Sequence, residues 1–351
     1  MSWISQLARP EIVALKPYEH ASWEPSLERL HANELPWRAT GDESDAGLNR
    51  YPEPQPRELV SRLATLYGAK LEQVLIGRGS DEAIDLLARC FCRAAQDAVM
   101  ICPPTFGMYA VAARIQGADV VSVPLQVANG FALDVDEVLR QCTPQVKLVF
   151  LCSPNNPTGN LIPEAEILHI AARLEGRALV VVDEAYIEFA GVESLIRKIG
   201  DYPQLAVMRT LSKAHGLAGA RCGTLVANPE IIGLLRKVIP PYAITQLTVE
   251  AALKLLASPQ IAIMKSRISD ICDERERMIQ AIRKLPGVNR VWPSRANFVL
   301  IEFADPERAL TRARASSLLI RDVRAQVGLP RTVRVSIGSP DQNDRLLGAL
   351  Q

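Results

Sequence analysis

The chain is predicted to be an α/β protein: a large domain on a mostly parallel sheet sandwiched by helices, followed by a smaller α+β domain. Three observations predict it. Short apolar runs at 98–102, 147–152 and 178–182 alternate with segments of helical spacing, the pattern of strands covered by helices on both faces. The 351 residues exceed what one core usually holds. Beyond residue 285 the pattern changes to the isolated strand candidates 297–303 and 332–338.

Residues 1–30 read as irregular, because Pro10, Pro17 and Pro25 interrupt any long helix. Ser80 is a candidate cap for a helix through Cys92. The strand 98–102 stops at Pro103-Pro104. Helical spacing resumes over 109–115, and 119–123 is a further strand. The strand 147–152 ends in the turn cluster Ser153-Pro154-Asn155-Asn156-Pro157-Thr158-Gly159. A helix over 163–174 starts with proline, and strands follow up to Val182, near 205–209 and over 223–227. Long helices are expected over 245–285, with the charged stretch 267–283 as a solvated face. The chain is divided into an N-terminal arm (1–40), a large domain (41–240) and a small C-terminal domain (241–351).

Composition excludes several classes. A formal net charge of +1 gives no field for nucleic acid or an acidic membrane. No stretch approaches the roughly 20 apolar residues that span a bilayer, and the N-terminus does not read as a signal peptide. Seven scattered cysteines argue against a disulfide framework and for a reducing, cytoplasmic location. Cys90 and Cys92 are too close in sequence for a zinc site and read as core thiols; no metal is expected.

The chemistry lies beyond the strand ends, where α/β sheets bind ligands. Asp183 closes one apolar run and Lys213 follows the next. A lysine amine can form a Schiff base with an aldehyde cofactor, while an aspartate holds a pyridinium nitrogen protonated; together they point to pyridoxal 5′-phosphate (PLP). In its amine form Lys213 can also move protons at the substrate. Tyr186 and Asn156 can reach the cofactor's phenolic oxygen. Ser80 and Asp81 open a helix whose N-terminus suits the phosphate, with Thr210, Ser212 and Arg221 to complete the cradle. Tyr109 is a candidate stacking face for the ring. Arg334, inside an apolar strand, needs an anionic partner such as a substrate carboxylate. Arg321 suits either an anion or a surface ion pair. His215 reads as a packing or hydrogen-bonding residue.

Asn155-Asn156-Pro157-Thr158-Gly159, Asp183-Glu184-Ala185-Tyr186 and Thr210-Leu211-Ser212-Lys213-Ala214 resemble the motifs of fold-type-I PLP-dependent aminotransferases. Asn49-Arg50-Tyr51-Pro52-Glu53-Pro54 and Gly79-Ser80-Asp81-Glu82 narrow the similarity to histidinol-phosphate aminotransferases. The resemblance implies a seven-stranded large domain and a homodimer with shared active sites, in which Tyr51 reaches the phosphate of the partner's cofactor. It implies that Arg334 takes the substrate α-carboxylate or its equivalent, and that Arg321, Tyr18 and Asn33 help hold the phosphorylated substrate. The implied reaction is transamination between glutamate and imidazole-acetol phosphate. A threonine-phosphate-type PLP decarboxylase, an aromatic aminotransferase and a non-catalytic PLP-fold regulatory protein are the alternatives.

Overall fold

The computed structural model describes residues 2–21, 24 and 27–351. Pro25 lies outside them. Helices α1 (Trp3–Leu7) and α2 (Pro10–Ala14) open the chain. Pro10 therefore starts a helix instead of breaking one, because its missing N–H is unneeded at the first helical position. Residues 27–56 then run without regular structure, tied together by Glu34, which accepts from Arg29 at 2.7 Å, Arg50 at 3.0 Å and the Tyr51 backbone N–H at 2.7 Å.

The large sheet is built from β1 (Val74–Gly77), β2 (Ala98–Ile101), β3 (Asp119–Ser122), β4 (Val146–Cys152), β5 (Leu179–Asp183), β6 (Leu205–Thr210) and β7 (Gly223–Ala227). Its spatial order is β1-β7-β6-β5-β4-β2-β3. Every pairing is parallel except those of β7, which runs against both β1 and β6. Successive side chains of a strand point to opposite faces. Val180 and Val182 thus join one apolar core, and Leu179 and Val181 the other.

Helices cover both faces. α3 (Arg57–Tyr67) places Leu59, Val60, Leu63 and Tyr67 on the first core and stops at Gly68, in the left-handed region at φ 68°. α6 (Val135–Gln141), started by the Asp134 side chain accepting from Glu137 N–H, and α7 (Glu164–Arg173) join it. α4 (Ser80–Phe91), α5 (Met108–Gln116) and α8 (Pro229–Arg236) cover the opposite core with α1. Ser80 is the first helical residue of α4 and not its cap; Gly79, at φ 82°, precedes the helix with no side-chain cap.

α9 (Gln246–Leu255) packs Val249 and Ala252 on the first core. The long α10 (Ser258–Ile282) leads to a second, fully antiparallel sheet. That sheet contains β8 (Val288–Val291), β9 (Phe298–Phe303), β10 (Arg321–Asp322) and β11 (Thr332–Ser336), in the order β10-β11-β9-β8. α10, α11 (Pro306–Ala315) and α12 (Pro340–Leu350) share its core. The charged run on α10 is not wholly solvated. Arg275 is buried, and its Nη1 donates to the carbonyls of Phe189 at 3.1 Å and Ala296 at 3.0 Å, tying α10 to the segments after β5 and before β9.

Candidate active site

A cavity of about 600 Å³ opens at the carboxyl ends of β4, β5 and β6 and extends to the second sheet. It is lined by Ser80, Asp81, Asn156, Asp183, Tyr186, Thr210, Ser212, Lys213, Arg221, Arg321 and Arg334. Eleven expected residues from five distant stretches therefore meet at one place. Tyr18, Asn33 and Tyr51 do not line it; all three are exposed, and Tyr51 stacks on Tyr242 with ring centroids 4.5 Å apart.

The floor is polar and buried. Asp183, the last residue of β5, is 3% exposed and accepts from the Ala185 N–H at 3.0 Å. Burial pushes its carboxyl above the ordinary carboxylate value, and the hydrogen bond from Tyr109 opposes that shift. That bond corrects one expectation. Tyr109 does not stack over the cavity: it is fully buried, donates to Asp183 Oδ2 at 2.7 Å and lies parallel to Phe150 at 4.7 Å. As the second residue of α5 it faces the sheet. Phe106, just before the helix, supplies the aromatic on the cavity wall together with Gly107 and Met108.

Lys213 lies beyond β6 on the wall facing Asp183, with Nζ 5.7 Å from the Tyr186 ring centroid. Burial, and after it the Arg334 charge, hold its amine below the ordinary lysine value. Burial likewise raises the Tyr186 phenol, whose ring meets Phe298 edge-on at 5.2 Å.

One end of the cavity is an anion cradle. Gly223 of β7 lies so close to α4 that a Cβ there would sit 2.2 Å from the Gly79 carbonyl carbon and 2.5 Å from Ser80 N. Arg221, at φ 56°, reaches across Gly79 and pairs with Asp81 at 3.0 Å. Thr210 Oγ1 donates to Ser212 Oγ at 3.0 Å. Free backbone N–H groups, a hydroxyl and a guanidinium thus converge on one spot.

At the other end Arg321 and Arg334 are register partners across β10 and β11. Like charges directly opposite repel, and among the described residues neither forms an ion pair with a carboxylate. Arg334 Nη1 donates instead to Asn156 Oδ1, and its guanidinium lies 5.2 Å from the Phe298 ring centroid. An anion between them would remove the repulsion. These features fit PLP: a buried carboxylate for the ring nitrogen, an amine on the same cavity, and an anion cradle whose Arg221 and α4 start would be displaced by side chains at Gly79 and Gly223.

The model of the aminotransferase class I and II family matches residues 29–350. The chain belongs to that family. Among curated relatives, the histidinol-phosphate aminotransferase of Xanthomonas campestris pv. campestris is 49% identical over 324 residues, 92% of this chain and 89% of that one. Among solved structures, histidinol-phosphate aminotransferase from Sinorhizobium meliloti, in complex with pyridoxal-5′-phosphate, aligns at TM-score 0.77 and 27% identity, covering 86% of this chain and 82% of that chain. L-threonine-O-3-phosphate decarboxylase from Porphyromonas gingivalis aligns at TM-score 0.74 and 26% identity, covering 86% and 90%. The aminotransferase fold type I expected from the motifs is thus present, with its mostly parallel seven-stranded sheet.

Phe106 was hidden in the sequence by the neighbouring tyrosine. Asn155, expected beyond the strand end, is buried and holds the turn through Thr105, Pro104 O and Thr158. Sequence reasoning missed Val323 and Gln326 on the distal wall, where no motif marks them.

Proposed function

We propose that the chain is a cytoplasmic, homodimeric histidinol-phosphate aminotransferase, exchanging an amino group between glutamate and imidazole-acetol phosphate in histidine biosynthesis. The observation that carries this reading is the unneutralised Arg321–Arg334 pair facing Lys213 and Asp183 across one cavity. Two guanidinium forks suit a substrate that presents a carboxylate in one half-reaction and a phosphate in the other. The 49% identical relative of the same printed activity supports it over the decarboxylase.

When bound, PLP supplies an electron-withdrawing ring that stabilises charge on the substrate α-carbon. Asp183 would keep the ring nitrogen protonated. Tyr186 and Asn156 would hold the phenolic oxygen, and Phe106 would supply an aromatic wall for the ring. Ser80, Ser212, Arg221 and the α4 N-terminus hold the phosphate, with Asp81 and Thr210 fixing two of those groups. Lys213 would hold the cofactor through its amine and, as a free amine, would take and return the proton at the substrate α-carbon. Arg334 takes the α-carboxylate or its equivalent, and Arg321, with Tyr18 and Asn33, the distal anion.

The chain divides, in this reading, into an arm (1–40), a large domain (41–240) and a small domain (241–351); the separate core of the second sheet supports the last division. Leu30, Leu35 and Trp37 are 92%, 69% and 77% exposed, an apolar surface suited to a second subunit. The seven unpaired cysteines suit a reducing compartment. No single helix among the described residues is long and apolar enough to cross a membrane.

The test combines chemistry and specificity. Borohydride reduction of the PLP-loaded protein is expected to leave a pyridoxyl label on Lys213, and histidinol phosphate to form from glutamate and imidazole-acetol phosphate without carbon dioxide. Arg321→Ala is expected to raise KM for the phosphate substrate about tenfold or more, the cost of a lost charged hydrogen bond, with PLP affinity unchanged. An unlabelled Lys213, or equal loss of PLP and substrate, contradicts the assignment.

A further inference from the structure

Behind the wall that carries Lys213 lies a second polar cluster, unused by the chemistry above. His215 is 5% exposed, and neither of its ring nitrogens has a hydrogen-bond partner in the protein. The charges closest to it are Glu188 and Arg209. Arg209 Nη2 donates to Glu188 Oε1 at 2.8 Å, its Nη1 lies 3.7 Å from Glu184, and its Cζ is 4.5 Å from the Tyr67 ring centroid. Thr224 is the cross-strand partner of Arg209, and the Tyr67 hydroxyl lies beside it. Glu188 Oε2, Arg209 Nε, Tyr67 Oη and Thr224 Oγ1 also lack a well-formed hydrogen bond.

A neutral imidazole carries one donor and one acceptor, and a hydroxyl carries both. Interiors pair such groups with protein or with bound water, and a water needs two to four polar partners around it. Here the unpartnered atoms of His215, Glu188 and Arg209 gather beside the Tyr67 and Thr224 hydroxyls, which supplies those polar partners. We propose that these side chains enclose a cluster of bound water, and that His215, anchored through it, is a positioning residue for Lys213. Transmission is short. The loop closes through Gly216 N–H to Lys213 O at 3.2 Å and Leu217 N–H to Leu211 O at 3.0 Å, so two peptide units separate the anchored ring from the lysine. The water cluster stands on geometry alone; the positioning role rests on Lys213 carrying the cofactor.

A crystal structure of the wild-type holoenzyme is expected to show at least two ordered waters about 2.7–3.2 Å from the His215 ring and the orphaned oxygens. His215→Phe, which keeps an aromatic ring but no anchor, is expected to lower kcat about tenfold, less than the hundredfold a 1 Å misplacement can cost. KM should stay unchanged and the visible absorbance band of the bound cofactor should shift. His215→Gln, which keeps both hydrogen-bonding roles, should restore most of kcat and the wild-type band. Equal losses in both variants, or a Phe variant matching wild type in rate and spectrum, overturn the positioning role. Ring nitrogens bonded directly to protein groups with no water present overturn the cluster, even if neither variant folds. Failure of the borohydride label would remove the reading of Lys213 and leave the water positions as they are.

Discussion

Asp183 illustrates how much a single buried carboxylate demands of its neighbours. Tyr109 and the Ala185 N–H both donate to it, and both favour its charged form against the cost of burial. Its raised value fixes the sign of a pH effect in the cofactor-free protein. Between the ordinary and the raised value, the folded chain keeps a proton that the unfolded chain has released. Stability therefore falls as pH rises through that window. Tyr109→Phe removes one donor and raises the carboxyl further. The expected loss at neutral pH is about 1–3 kcal/mol, the cost of an unsatisfied buried acceptor. It should shrink towards acid pH, where the carboxyl is protonated in both states. Urea unfolding of the cofactor-free variant at several pH values measures this; a loss independent of pH would mean that the tyrosine only packs.

At the scale of elements, the cradle depends on how closely β7 approaches α4. Gly223→Ala would push a methyl group into the Gly79 carbonyl carbon and Ser80 N. Backbone cannot rotate away as a side chain can, so the helix start must shift. Overpacking of this kind costs about 1–3 kcal/mol, and the displaced N–H groups should bind phosphate more weakly. Thermal unfolding and PLP titration test both parts, and an unchanged PLP affinity would remove the cradle assignment. The apolar strands 98–101, 146–152 and 179–183 were legible in the sequence, because strands buried on both faces read as unbroken apolar runs. The reversed direction of β7 was not, since Gly223–Ala227 has the same composition whichever way it runs. The two-residue β10 was not legible either, although it places Arg321 opposite Arg334. Tyr109 was found but given the wrong face: a one-residue difference in helix start decides whether an aromatic lines a cavity or packs on the sheet. Arg275 hid in a charged run because only tertiary contacts distinguish a buried arginine from its solvated neighbours.

For the whole molecule, the cavity within one chain lacks Tyr18, Asn33 and Tyr51, which share the exposed N-terminal stretch with Leu30, Leu35 and Trp37. In the proposed dimer the N-terminal stretch of one subunit, through Tyr51, would reach the cavity of the other, and an isologous interface would exchange the same contacts both ways. The Glu34 ion pairs with Arg29 and Arg50 hold Tyr51 on a fixed segment, so the cost of ordering it is met before assembly. Subunit mixing tests this directly. Lys213→Ala removes the amine from its own site, and Tyr51→Ala removes the hydroxyl that the proposed dimer would give to the partner's site. Each variant alone is expected to be impaired, Lys213→Ala essentially to zero. After joint unfolding and refolding in equal amounts, half the dimers are hybrids, and each hybrid has one site with both native residues. Activity should recover to about a quarter of wild type by this counting for a two-fold dimer. Sites completed within one chain would instead give only the average of the two parent activities, whatever the mixing.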